Sequence, residues 1–133
     1  MKVLLDTHVW VWWLTQSGRL TRDERSALSA GAERGSLYLS AISLWEAQML
    51  NARRRIELPA PFASWLVAAS SPEIVNVVPL DAEIVIALDS LPAGLQGDPA
   101  DRLIAATARC RDLPLATYDK TLRRSRAVTL WKA

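Results

Sequence analysis

The sequence predicts an α/β fold in which helices cover both faces of a central parallel sheet of about five strands. Two observations predict it. Short apolar and β-branched runs recur along the 133-residue chain, and segments of helical length lie between them. Strands buried on both faces read as continuous apolar runs, and parallel strands are joined by crossover helices. The alternation therefore favours a three-layer α/β/α arrangement.

The five candidate strands share a short run of apolar or β-branched residues. They are residues 3–5, 37–39, 74–78, 115–117 and 128–130. Each is long enough for one buried strand of a small sheet. An aspartate follows two of them, Asp6 directly after the first and Asp119 shortly after the fourth.

The candidate helices occupy the segments between these strands. They are residues 8–14, 21–32, 43–54, 61–69, 81–90, 99–111 and a short helix after Asp119. Ser43 and Glu46, three residues apart, are typical of a capping box at a helix start. Asp98 and Pro99 supply an N-cap followed by proline at the first helical position. A loop rich in Gly and Pro, residues 91–97, leads into that last long helix.

The composition is that of a folded domain. Half of the residues are hydrophobic, and 16 Lys and Arg stand against 14 Asp and Glu for a net charge of +2. This balance excludes the disordered class, whose chains bury too little apolar surface to fold. We expect one domain over residues 1–133. The slight basic excess is compatible with nucleic acid and diagnostic of nothing.

The cysteine content and the N-terminus exclude several further classes. Cys110 is the only cysteine, so the sequence has neither a disulfide framework nor a cysteine-based zinc site. The apolar run at the N-terminus is interrupted by Asp6, which argues against a secretion signal and a membrane span. We expect a cytoplasmic protein that does not associate with a membrane.

Four carboxylates occupy positions where ligands bind in α/β proteins. Asp6 and Asp119 follow strands, while Glu46 and Asp101 lie in the first turns of two predicted helices. Ligands of open α/β sheets bind outside the carboxyl ends of the strands, and helix N-termini favour negative charge. The four side chains are therefore expected to converge on one crevice.

Such a cluster predicts a divalent cation. Two like charges about 4 Å apart repel by about 4 kcal/mol at an effective dielectric constant near 20, so four carboxylates together need a counterion. Oxygen ligands without Cys or His favour Mg²⁺ or Mn²⁺ over zinc. A metal of this kind activates water and polarises a phosphoryl oxygen, which makes phosphodiester hydrolysis the natural reaction.

Structural interpretations compete with this one. Asp98 and Asp101 also fit the N-cap and third positions of a helix, and Glu46 fits a capping box without any catalytic role. A non-catalytic binding or regulatory module would carry the same scaffold. Phosphatases of the haloacid dehalogenase type are disfavoured because they need a second aspartate where this chain has His8.

The acids stand within longer motifs that resemble those of PIN domains. The matching segments are Val3-Leu4-Leu5-Asp6-Thr7, Ser43-Leu44-Trp45-Glu46, residues 98–108 from Asp98-Pro99-Ala100-Asp101 onward, and Leu115-Ala116-Thr117-Tyr118-Asp119. More narrowly the chain resembles the VapC toxins of type II toxin–antitoxin pairs, and the similarity runs from the first strand to the last.

The resemblance implies a function and a set of partners. It implies a five-stranded parallel sheet with flanking helices, Mg²⁺ or Mn²⁺ at the cluster, and cleavage of RNA by metal-activated water. Asp6, Glu46, Asp101 and Asp119 match the family's four acids. The implied partners are an RNA substrate, a VapB-like antitoxin, and a second copy of the chain in a homodimer and higher toxin–antitoxin assembly.

Several neighbouring residues are candidates for supporting roles. Asp98 could reach the metal through water, Thr7 and Thr117 could bind a metal-bound water or a phosphate oxygen, and Arg102 could meet a carboxylate or a phosphate. His8 opens a helix and is more typical of a polar end residue than of a catalyst.

Basic and aromatic residues suggest further contacts. Residues 53–55 are three arginines, and Lys120, Arg123, Arg124 and Arg126 form a second group that could touch phosphates. The segment with Trp10, Trp12 and Trp13 is apolar on all sides, so part of it is expected to meet a partner and part to pack in the core. Trp45, Met49 and Ile42 share a helix face and are expected in the core, which leaves no clear reader of a nucleobase.

Overall fold

The computed structural model describes residues 1–95 and 98–133. The strands of the described residues are β1 (Val3–Leu5), β2 (Leu37–Ser40), β3 (Asn76–Val78) and β4 (Leu115–Ala116). The helices are α1 (Thr7–Leu14), α2 (Arg22–Glu33), α3 (Ile42–Ala52), α4 (Phe62–Ala69), α5 (Ala82–Ala87), α6 (Pro99–Cys110) and α7 (Lys120–Arg124). Two short 3-10 turns, Leu88–Ser90 and Ala93–Leu95, follow α5. The latter part of the predicted 91–97 loop, residues 96–97, lies outside the described residues.

The strands form one parallel sheet in the order β3-β2-β1-β4. The central strand β1 pairs Leu4 with Tyr38 on one side and with Leu115 on the other. All four carboxyl ends therefore lie at one edge of the sheet. The predicted α/β fold with a parallel sheet between helices is confirmed.

The fifth predicted strand, residues 128–130, is reduced to an isolated parallel bridge between Leu115 and Leu130. Two backbone hydrogen bonds hold it, from Leu115 N to the Thr129 carbonyl at 2.8 Å and from Trp131 N to the Leu115 carbonyl at 2.9 Å. Its neighbour β4 has only two residues, which leaves no edge long enough for a ladder. Over residues 1–95 and 98–133 the sheet therefore has four strands and not the expected five.

The core lies on both faces of the sheet because consecutive residues of β1 point in opposite directions. Leu5 packs in one apolar cluster with Trp10 and Leu28, while Leu4 packs in another with Ile104. Both leucines are 0% exposed. A strand buried on both faces accounts for the continuous apolar run that predicted it.

Two of the predicted helix caps have different outcomes. Asp98 caps α6 as predicted, accepting a hydrogen bond from Ala100 N at 2.9 Å, with proline at the helix start. The predicted capping box of Ser43 and Glu46 is wrong. Helix α3 begins at Ile42, its N-cap has no side-chain hydrogen bond, and Ser43 lies inside the first turn, where its side chain is buried.

The tryptophans divide between core and surface. Trp10 is 0% exposed, packs against Trp65 with ring centroids 5.2 Å apart, and donates from Nε1 to the Ala69 carbonyl at 3.0 Å. Trp45, predicted in the core, is 51% exposed. The reason is that the inner face of α3 is formed by Ser43, Glu46 and Ala47, so Trp45 points elsewhere.

No helix among the described residues combines the length and the apolar character needed to cross a lipid bilayer.

Candidate active site

A cleft of about 440 Å³ opens at the carboxyl edge of the sheet. Its lining combines acidic side chains with basic and aromatic ones. The lining residues are Asp6, Glu46, Asp98, Asp101, Asp119, His8, Trp12, Arg19 and Tyr118. The structure thus brings together all four acids that the sequence singled out, together with Asp98, which the sequence offered as a supporting residue.

Asp6 lies at the end of the central strand and is held on both of its carboxylate oxygens. It is the N-cap of α1, and its Oδ1 accepts from Thr7 N at 2.8 Å. Its Oδ2 accepts from the Thr117 hydroxyl at 2.6 Å. Burial raises the pKa of Asp6, the two hydrogen bonds oppose that rise, and the nearby charge of Asp119 adds to it. The two hydrogen bonds fix the side chain in position, while burial makes its charged form less favourable.

Glu46 is buried by helix α3 and oriented by a threonine on α1. The Thr7 hydroxyl donates to Glu46 Oε1 and also lies 2.7 Å from the Ser43 hydroxyl. Thr7 and Ser43 are both 0% exposed. Burial raises the pKa of Glu46, and the charges of Asp6 and Asp98 raise it further. The pair that looked like a capping box is thus part of a buried polar network beneath the cleft.

Asp119 caps the short helix α7 and is linked to Asp6 through Thr117. Its Oδ1 accepts from Leu122 N at 2.9 Å. The Thr117 hydroxyl donates to Asp6 and accepts from Asp119 N at 3.0 Å. One buried hydroxyl therefore sets the spacing between the acids that follow β1 and β4.

Asp101 has a strongly raised pKa. Burial raises its pKa from the usual value near 3.8 to about 7, and the charges of four surrounding carboxylates contribute in the same direction. Those carboxylates are Asp6, Asp98, Asp119 and Glu46. Four acids acting on a fifth through space means that their charges share one small volume.

This electrostatic pattern fits a bound cation. Burial, and to a smaller extent mutual repulsion, raise the pKa values of three of the acids, Asp6, Glu46 and Asp101. A divalent ion would favour their charged forms. Yet within residues 1–95 and 98–133 no three acidic, His or Cys side chains are placed to hold one ion directly. Several carboxylate oxygens are instead engaged in helix caps or in hydrogen bonds with threonine hydroxyls. Mg²⁺ fits such a site because it usually binds one or two carboxylates and keeps several waters.

Comparison with known proteins assigns the chain to a family. The model of the PIN domain family matches residues 3–127. This chain belongs to the PIN domain family. Ribonuclease VapC22 of Mycobacterium tuberculosis is 38% identical to it over 132 residues, which cover 97% of this chain and 98% of that protein. The resemblance to VapC-type PIN domains is confirmed.

A solved structure shares the fold. The crystal structure of VapBC2 from Rickettsia felis, bound to a DNA fragment from the promoter, superimposes on this PIN domain with a TM-score of 0.73 over 98% of both chains. The sequences are 20% identical, so this likeness bears on the fold alone.

Some of the predicted supporting residues of this PIN domain contact the acids, and others lie outside the cleft. Thr7 and Thr117 lie beneath the cleft, where their hydroxyls bond the acids. Arg102 is half-buried and is not among the residues that line the cleft. The arginines of residues 53–55 are exposed and also outside the lining. Arg123 donates to the Thr117 carbonyl at 2.8 Å, which ties it to the backbone behind the cleft.

Three residues of the lining escaped sequence reasoning: Trp12, Arg19 and Tyr118. Trp12 lies one helical turn after His8 on α1, so their shared face was a usable signal. Tyr118 directly precedes Asp119. Nothing in the sequence pointed to Arg19, since a loop brings it to the cleft. Burial, and then a hydrogen bond to Glu24, raise the pKa of Tyr118 to about 12, so its hydroxyl remains a donor.

Proposed function

We propose that this PIN domain is a metal-dependent endoribonuclease that acts as the toxin of a toxin–antitoxin pair. The observation that carries the proposal is the convergence of five carboxylates in one cleft. Burial, and then the charges of the other four carboxylates, raise the pKa of Asp101 there to about 7. The 38% identical relative is named a ribonuclease, which supports the choice of RNA as substrate.

In this proposal Asp6, Glu46, Asp101 and Asp119 hold Mg²⁺ or Mn²⁺, directly or through water. The ion would supply an activated water and a polarised phosphoryl oxygen for phosphodiester hydrolysis. Thr7 orients Glu46, and Thr117 orients Asp6, as positioning residues beneath the cleft. Asp98, at the exposed rim, is a candidate to contact the ion through water, and Arg102 keeps at most a supporting role.

The proposed partners follow from the relatives. The Rickettsia felis structure contains a VapBC2 pair, and we extend this to a VapB-like antitoxin and to a toxin homodimer within a larger assembly. An acidic cleft suits a basic segment of such an antitoxin, since opposite charges steer association. A cytoplasmic location and a single domain over residues 1–133 complete the proposal.

A cleavage assay on total cellular RNA tests the proposed activity. Wild type should cut RNA in Mg²⁺ or Mn²⁺ and stop in EDTA. Asp101→Asn should be inactive, while Asp89→Asn, which alters an exposed aspartate outside the cleft, should cut like wild type. Matched circular dichroism spectra ensure that a lost fold is not mistaken for lost catalysis.

Two results would contradict the proposal. Equal cleavage by wild type and Asp101→Asn would mean a contaminating nuclease. A folded wild type that binds RNA or an antitoxin but cuts nothing in either metal would mean a non-catalytic binding or regulatory module.

A further inference from the structure

One wall of the cleft is aromatic, although binding a metal ion requires only the acids. Trp12 and Tyr118 both line the cleft, with ring centroids 5.6 Å apart and ring planes inclined at 57°. Tyr118 is 38% exposed and Trp12 is half-buried. These two partly exposed rings give the cleft an aromatic surface beside its charged groups.

Both rings are held in place before any ligand arrives. The Tyr118 hydroxyl donates to the Glu24 carboxylate, which also accepts from Thr21 N at 2.9 Å at the start of α2. Trp12 packs partly against the core and lies 5.6 Å from the His8 ring on the same helix. A preformed aromatic surface loses little conformational entropy when a flat ligand stacks on it.

A cation completes the wall. The guanidinium carbon of Arg19 lies 5.4 Å from the centre of the Trp12 ring, on an exposed side chain. Among the residues that the structure describes, the salt bridges involve Arg111 and leave Arg19 without a carboxylate partner, although acids line the same cleft. A guanidinium in this position can stack on a base or bond a phosphate.

We propose that Trp12, Tyr118 and Arg19 form a subsite for an unpaired nucleotide of the RNA. The proposal rests on the proposed ribonuclease function for its ligand. With the backbone phosphate at the acids, the base of an adjacent nucleotide lies against the two rings, and Arg19 bonds a phosphate or stacks on the base. Aromatic stacking combined with Arg contacts is how proteins hold unpaired bases. The sequence alone offered no clear reader of a nucleobase, and this proposal gives that role to Trp12.

The subsite is tested by RNA binding, separately from cleavage. The probes are a short single-stranded RNA of mixed sequence with a fluorescent end label, and the same backbone with abasic ribose in place of the bases. Binding is followed by fluorescence anisotropy in Mg²⁺, with all variants in an Asp101→Asn background so that the RNA stays intact. Trp12→Leu removes the stacking surface, Trp12→Phe restores a ring, and Trp45→Leu is the matched control at an exposed tryptophan outside the cleft.

The expected pattern separates base from backbone. Trp12→Leu should weaken binding of the normal RNA by about 5- to 100-fold and leave the abasic strand unaffected. Trp12→Phe should recover most of the loss, and Trp45→Leu should bind like the background protein. Arg19→Gln should weaken both strands and lower the slope of binding against salt by about one ion. In the active protein, Trp12→Leu should raise KM more than it lowers kcat.

Other outcomes overturn the subsite. Failure to bind RNA, unchanged binding by Trp12→Leu, or equal losses for normal and abasic strands would each do so, and wild-type cleavage would then leave the nuclease intact. Loss of binding to a protein antitoxin alone, with RNA binding preserved, would assign the wall to that partner. Base-dependent binding through Trp12 without metal-dependent cleavage would support the subsite and contradict the proposed nuclease activity.

Discussion

Thr7 and Glu46, which are 39 positions apart in the chain, meet in a buried hydrogen bond that joins the start of α1 to the first half of α3. The same hydroxyl lies 2.7 Å from Ser43. Because both helices start at the carboxyl edge of the sheet, this bond sets where Glu46 enters the cleft. The residue that positions an acid here is thus itself remote from solvent.

Thr7→Val tests this contact, since valine keeps the shape and removes the hydroxyl. Leaving the buried Glu46 without its donor should lower the free energy of unfolding by about 1–3 kcal/mol. Urea denaturation measures the change, and Thr129→Val, at an exposed threonine, serves as control with little effect. Thr7→Ser should restore most of the stability. A Thr7→Val protein as stable as wild type would show that Glu46 finds another partner.

The pH dependence of the metal-free protein should follow Asp101. Its folded pKa of about 7 lies above its usual value near 3.8, so the folded state binds more protons than the unfolded one between these values. The stability tied to this proton is fully present below about pH 4 and is lost as the pH rises through about 7. Thermal melts in EDTA from pH 5 to 8 should therefore show a falling Tm for wild type.

Asp101→Asn should flatten that profile and be the more stable protein at pH 8, because it removes one of the crowded charges. Asp89→Asn should keep the wild-type slope. A wild-type Tm that rises over this range would contradict the electrostatic crowding inferred for the cleft.

Added Mg²⁺ or Mn²⁺ should raise the Tm of wild type at pH 8. A ligand that binds only the folded state stabilises it by about 2.7 kcal/mol at a hundredfold excess over Kd, which is a shift of several degrees for a domain of this size. The increase should be much smaller in Asp101→Asn. An equal shift in both proteins would place the ion away from the acids.

The two classes of tryptophan should differ in their effect on folding. Trp10→Ala empties a fully buried position and should cost about 3–5 kcal/mol. Trp45→Ala removes an exposed ring and should change stability by about 0.5 kcal/mol or less. Denaturant titrations of the two variants compare them directly, and similar losses would mean that Trp45 packs against the protein in solution.

The sequence predicted the sheet well because its signal is local. Burial on both faces leaves a continuous apolar run, and β1 is recognisable from Leu4 and Leu5, whose side chains face opposite cores. The fifth strand was overestimated because strand length depends on the neighbour, and β4 offers two residues to pair with. Propensity alone does not carry that information.

The acids were equally accessible to sequence reasoning, since strand ends and helix starts are fixed by short-range patterns. What failed was the orientation of α3. Ser43 and Glu46 satisfy the spacing of a capping box, but tertiary contact with Thr7 turns them inward and leaves Trp45 exposed. The aromatic wall was missed for a related reason. A loop brings Arg19 to Trp12, and Tyr118 reaches Trp12 from a distant strand end, and neither contact is encoded in a periodic pattern.

Asp6, Asp98 and Asp119 each begin a helix and also line the cleft. A substitution at any of them therefore has two separate effects. It changes the stability, and so the abundance, of the folded chain, and it changes the chemistry of the cleft. Asparagine caps a helix about as well as aspartate does. An Asp-to-Asn substitution at one of these positions would therefore remove a carboxylate from the cleft while keeping the helix cap, and with it the folded protein.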